Sequence, residues 1–293
     1  MSKKHIRIGV MVMLSTSLFL WCSLIQAAQA RALLWKYSYV TEQCKDPDGD
    51  GKKMHDLEVE DAGGDWLDVM KSHWSVWTLD YTIYANEITD FDDCTWGRDH
   101  RNGNLDDGDG NLLMTHSIAL PLGNPTYWRV RLSSNSGNGG STPCASKSTN
   151  MTLGDNDAEF IHTTGCHSAE WRLIRRGYNA MDGRLHQFGG FHGEFWTSGD
   201  RYLDDFAEEG FVTASGLSWA WIENMTVWDI HGSADNCAVS LVQGFSRNSA
   251  IYRQNHEDYN AVQYTDPHGQ WVKFHYYCNC NPSGTGSGAL HCD

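Results

Sequence analysis

The sequence predicts an α/β domain, a three-layer sandwich around a mostly parallel sheet, on three observations. Two short apolar runs, Asn111-Leu-Leu-Met-Thr-His116-Ser117 and Ala158-Glu-Phe-Ile-His-Thr-Thr-Gly-Cys166-His-Ser, read as buried strands. Segments with apolar residues three and four apart alternate with such runs, the pattern of strands joined by crossover helices. The 293-residue length suits one large domain with a sizeable core better than two compact halves.

The elements follow in order. Residues 1 to 30 carry Lys3, Lys4 and Arg7, an apolar core from Ile8 to Ile25, and the small-residue site Ala28-Gln29-Ala30, the three parts of an export leader. The expected mature domain therefore spans residues 31 to 278, followed by a Gly/Ser-rich, Cys-containing tail over 279 to 293. Aromatic and β-branched residues from Leu33 to Val40 predict a first strand. Trp66, Val69 and Met70 predict a helix over Ala62 to Ser72, and alternating Leu79, Tyr81, Ile83 and Ala85 predict the next strand. Residues 86 to 110 and 133 to 157 are polar and Gly/Asn-rich, hence loops flanking the two apolar runs. Beyond them the sequence predicts a helix over Arg172 to Tyr178, a strand over Arg184 to His192, helices over Tyr202 to Gly210 and Gly216 to Met225, and an aromatic strand over Gln270 to Cys278.

Charge narrows the partners. The leader holds three of the 22 basic residues and no acidic one, so 19 Lys and Arg face 37 Asp and Glu, a net charge of −18. Nucleic acid and anionic membrane are excluded as partners, since both require a basic face. After the leader, no stretch approaches the roughly 18 apolar residues of a spanning helix. The expected product is secreted, extracellular or periplasmic. Eight cysteines remain after Cys22 leaves with the leader, an even number that fits disulfides in an oxidising compartment, with Cys278 or Cys280 joined to Cys292.

The chemistry lies at the ends of the two apolar runs. Parallel sheets collect functional residues at the carboxyl ends of their strands, so His116 and Cys166 can meet although fifty residues separate them. A thiolate is the nucleophilic form of cysteine, and a neighbouring imidazole serves as base and proton shuttle. The reading is Cys166 as nucleophile, His116 as base, and backbone N–H groups near Cys166 and Ser117 as oxyanion donors. His167, His186, Gly189, Gly190, His192 and Glu194 would line the cleft, with His192 an alternative base.

His-then-Cys order at two strand ends resembles the caspase and gingipain type of cysteine peptidase, which implies a caspase-like topology and a peptide or protein substrate. The His-Gly of that type is His116-Ser117 here. More closely, Cys166-His-Ser-Ala-Glu-Trp, Leu185-His-Gln-Phe-Gly-Gly-Phe-His192, Phe206-Ala207, Ser218-Trp-Ala-Trp221 and Tyr264-Thr-Asp-Pro267 resemble an uncharacterised family of secreted bacterial proteins, over roughly Leu33 to Tyr277.

Other readings stay open. A non-catalytic binding or surface-interaction protein, held by disulfides and calcium, is compatible with the same residues. Asp46-Pro-Asp48-Gly-Asp50-Gly51 sets alternating carboxylates on one side of a tight turn, as a calcium loop requires, so a structural calcium is expected there and no cofactor is required for activity. Asp106-Asp107-Gly108-Asp109-Gly110 is a second, vaguer candidate. His192 and Glu194 with His162, His167 and His186 have the ligand chemistry for zinc but no zinc-motif spacing.

Overall fold

A computed structural model gives the architecture, described for residues 27–36, 56–81, 83, 91–92, 95–96, 105–122, 124–133, 145–174, 181, 184–196, 202–212, 214–230, 232–262, 269, 271–284 and 287–292. The expected calcium ligands Asp46, Asp48 and Asp50, and Cys44, Cys94 and Cys144, lie outside these residues.

The chain is α/β around a mixed, mostly parallel eight-stranded sheet. Its strands are β1 (Gln29–Leu34), β2 (Val76–Asp80), β5 (Gly110–Met114), β9 (Phe160–Thr163), β10 (Gln187–His192), β11 (Val227–Ile230), β12 (Ala234–Gly244) and β13 (Trp271–Tyr276). The intervening numbers belong to the two-residue ladder β3 (Phe91–Asp92) with β4 (Thr95–Trp96) and to a small antiparallel sheet of β6 (Ser117–Leu120), β7 (Tyr127–Arg131) and β8 (Ala145–Lys147). Across the main sheet the order is β2-β1-β5-β9-β10-β12. The first five strands are parallel; β12 is antiparallel to β10 and carries β11 and β13 on its far side.

Helices α1 (Asp56–His73), α3 (Leu203–Val212), α4 (Leu217–Met225) and α5 (Arg247–His256) form a connected layer against the sheet, and α2 (Trp171–Ile174) is a single turn. Helix α1 buries Val59, Ala62, Trp66 and Met70, a stripe at helical spacing, and comes so close to β1 that a Cβ on Gly63 would meet Leu34 at 2.5 Å. Lys71 and His73 occupy its last turn, where positive charge is favoured. Ser246 begins α5 with a capping box, exchanging hydrogen bonds with Ser249.

Alternation along β10 sorts the two faces. Gly189 and Phe191 face Trp221 of the helical layer, whereas Phe188, Gly190 and His192 face Trp128 of β7, Ser168 and Trp171. A Cβ on Gly189 would lie 2.3 Å from His162, and one on Gly190 2.6 Å from Ser168. Both glycines, expected to shape a cleft wall, are buried spacers that let the layers approach. Several boundaries move from expectation. The first strand begins at Gln29, so the expected end of the leader at Ala30 falls within β1; the second covers 76 to 80; and the helix expected from Arg172 starts at Trp171, five residues after Cys166.

Candidate active site

Parallel register brings the expected dyad to one sheet edge. The last paired rung of β5 and β9 is Leu113 with Thr163, and His116 and Cys166 each stand three residues beyond it. The strand ends are tied directly, for Ser117 Oγ donates to the Cys166 carbonyl at 2.6 Å. Gly165 makes this approach possible, since a Cβ there would lie 2.4 Å from Ser117 Oγ and 3.2 Å from Trp128. Its N–H donates to Thr163 Oγ1 at 3.0 Å, which fixes the turn into Cys166.

His116 is half-buried. Its carbonyl accepts from Arg131 N–H at 2.9 Å, Thr115 Oγ1 donates to the Arg131 carbonyl at 2.9 Å, and the Trp35 ring stands edge-on at 5.5 Å. Strand β7 thus fixes the His116 backbone, and Trp35, just beyond β1, flanks the imidazole. Cys166 is also half-buried and takes part in neither disulfide among the described residues, which join Cys237 to Cys280 and Cys278 to Cys292. The Phe195 N–H points at Cys166 Sγ from 3.4 Å, a contact a thiolate accepts strongly and a thiol weakly.

A second cluster adjoins the thiol. The turn after Cys166 reverses through His167, whose φ of 56° lies in the left-handed region, and His167 N–H donates to the Gly193 carbonyl at 2.7 Å. Its Nδ1 lies 3.0 Å from Glu170 Oε2. That carboxylate also accepts from Gly193 N–H at 3.3 Å and Ser287 Oγ at 2.9 Å, and its other oxygen lies 3.2 Å from His192 Nδ1. Burial pushes the Glu170 carboxyl up, but the His167 and His192 rings and the Ser287 hydroxyl outweigh it and hold the group well below the usual carboxylate range. Trp171 N lies 3.1 Å from the same His192 Nδ1, and His192 Nε2 donates to the Gly288 carbonyl at 2.7 Å. Glu194 adjoins this cluster, with its N–H on the Ser283 carbonyl at 2.9 Å.

Of the expected cleft residues, the fold gathers His167, His192 and Glu194 beside Cys166. His186 stands at the opposite end of β10, fully buried, with Nδ1 2.9 Å from Glu257. His162 is also a core histidine. Burial pushes its imidazole down to about 3, Gln187 Nε2 lies 3.2 Å from its Nε2, and Phe206, Trp221 and Tyr259 surround the ring. The five expected zinc candidates are therefore divided: His167, His192 and Glu194 lie beside Cys166, His186 precedes β10, and His162 lies within the sheet under the helical layer.

The acidic run 106 to 109 has protein partners throughout. Asp106 accepts from Gly154 and Asn156 N–H groups, Asp107 pairs with Arg31 at 2.6 Å, and Asp109 accepts from Gln29 N–H at 2.6 Å. Among the described residues one His/Cys/Asp/Glu group has metal-site spacing, Asp235 with Cys237 and Cys280, but the disulfide uses both sulfurs and Asp235 accepts from Asp229 and Asn281 N–H groups. No helix among these residues is long and apolar enough to cross a membrane. Sequence reasoning missed the role of Glu170, which stands in the Cys166-His-Ser-Ala-Glu-Trp run without any chemistry assigned to it, and the docking of the C-terminal segment, whose Gly/Ser composition reads as a tail. The crowding of Cys278, Cys280 and Cys292 was the available signal for the second. Comparison with protein-family models and with curated protein sequences finds no match to this chain.

Proposed function

We propose that this chain is an exported cysteine hydrolase of peptidase type, with caspase-like topology, Cys166 as nucleophile and His116 as general base. The observation that carries the reading is the shared register: His116 and Cys166 stand three residues beyond the last rung of two adjacent parallel strands, with Ser117 bonded to the Cys166 carbonyl. The His-then-Cys order on neighbouring strands supports the topology, and the two disulfides support export. In the proposed cycle the thiol proton passes to His116 and the sulfur attacks a substrate carbonyl. The imidazolium then protonates the departing amine, and water, activated by His116, hydrolyses the thioester and restores the thiol. Ser117 acts as a positioning residue, because its hydroxyl is committed to the Cys166 backbone.

The test is alkylation and turnover on the native mature protein. Iodoacetamide is expected to modify Cys166, and His116→Ala to slow both alkylation and hydrolysis of a peptide library, the latter by about 10²- to 10⁴-fold. A Cys166 that resists alkylation in the folded protein, or hydrolysis that survives Cys166→Ala, would falsify the assignment.

A second reading is a non-catalytic secreted binding protein, supported by the C-terminal segment lying over His167, Glu170 and His192. It predicts that Cys166→Ala leaves its interactions intact. On either reading we propose a structural calcium on Asp46, Asp48 and Asp50, expected to raise Tm when calcium is restored after chelation.

A further inference from the structure

Residues 281–284 and 287–292 form a strap stapled across one wall of the site. Two disulfides root it, Cys280 to Cys237 of β12 and Cys292 back to Cys278. Asn279 N–H donates to the Leu290 carbonyl at 2.6 Å and Leu290 N–H to the Cys280 carbonyl at 2.9 Å, closing the strap on itself. Asn281 N–H donates to Asp235 at 2.7 Å, and Pro282 bridges to Asp235 as a strand partner.

From there the strap meets the exit of β10 mostly through acceptors. The Ser283 carbonyl accepts from Glu194 N–H at 2.9 Å, Ser283 Oγ from Trp196 Nε1 at 2.6 Å, and the Gly288 carbonyl from His192 Nε2 at 2.7 Å, while Ser287 Oγ donates to Glu170. Gly193 is shaped for this contact. Its φ is 78°, and a Cβ would stand 2.4 Å from Pro282.

Phe195, whose N–H faces Cys166 Sγ, lies between the two donors Glu194 N–H and Trp196 Nε1. The strap thus fills a row of donors one residue to either side of the nucleophile's contact, offering what an extended peptide offers: backbone carbonyls and small hydroxyls. We propose that this row is the peptide-binding groove of the Cys166 site, that the strap is its intramolecular occupant, and that the ligands are extended peptides that displace it. They would give a carbonyl to Glu194 N–H and an oxygen to Trp196 Nε1. The substrate role of these peptides rests on the hydrolase reading; the groove itself does not. A tethered occupant acts at an effective concentration of about millimolar, so the intact protein excludes competing peptides.

The test uses the full mature chain and a fluorescent peptide Asn-Pro-Ser-Gly-Thr-Gly-Ser-Gly, the strap's own sequence over 281 to 288. Two variants release the occupant independently: Cys278→Ser with Cys292→Ser opens the staple, and Ser283→Ala with Ser287→Ala keeps both disulfides. Each is expected to bind the peptide at least about tenfold more tightly than the parent by fluorescence anisotropy, the factor expected for loss of about one competing hydrogen bond. Equal binding by the parent and both variants, with native circular dichroism retained, overturns the proposal. Cys166 alkylation, followed in parallel, separates the two readings: tighter peptide binding with an inert Cys166 removes the hydrolase and leaves the groove.

Discussion

At Gly165 one added methyl group would disturb the site most directly. Gly165→Ala sets a Cβ against Ser117 Oγ and Trp128, so the turn carrying Cys166 must shift. We expect a loss of about 1–3 kcal/mol in urea unfolding, together with slower Cys166 alkylation. The buried titratable groups set the pH response. Burial pushes His162 down to about 3 and, with Lys273, His275 down to about 4, so both are neutral when folded and bind protons more readily when unfolded. Stability therefore falls as pH drops below about 6.5 toward 4, and the depressed Glu170 carboxyl adds to the loss below its unfolded pKa. Asp109 acts in the opposite direction. Burial and Asp157 raise it to about 6, so its folded form favours the proton and its contribution is lost as pH rises from its unfolded value through 6. Urea midpoints between about pH 7 and pH 4 are expected to decline on acidification, and His162→Phe to flatten the decline even where it lowers stability overall.

Among the elements, β10 is buried along its whole length and closely packed on both faces. Gly189→Ala would place a Cβ against His162 and Trp221, both fixed in the core, and is expected to cost about 1–3 kcal/mol or prevent folding, read from the urea midpoint. The elements legible in the sequence carry an unbroken pattern. Strands β5 and β9 each carry a short apolar core, and α1 and α4 keep their apolar residues at helical spacing, so the parallel half of the sheet, with His116 and Cys166 three residues past the last shared rung, follows from local reading. Strand β12 was not anticipated although it is the longest, because Asn236, Ser240 and Gln243 interrupt its apolar residues; tertiary burial, not pattern, makes it a strand. Helix α5 is nearly all polar, and its start is marked by Ser246 and Ser249 rather than by an apolar stripe. The small sheet β6-β7-β8 exposes part of each strand, which blurs the alternation that would reveal it.

At the scale of the whole molecule, the two disulfides among the described residues join the antiparallel end of the sheet to the strap. Replacing Cys237 and Cys280 by alanine opens a link between residues 43 apart and is expected to lower stability by about 2–4 kcal/mol in thermal or urea unfolding. The position of β1 has a kinetic consequence. This first described strand lies inside the sheet, paired with β2 some 47 residues downstream and with β5 some 80 residues downstream. Neither neighbour can be reached by a hairpin, so the entropy of closing both loops must be met before the centre of the sheet forms. Stopped-flow refolding with the disulfides intact is expected to be slow, on the order of milliseconds to seconds. On the proposed export reading, slow closure of these two loops would keep the chain an open polymer while it is threaded across a membrane.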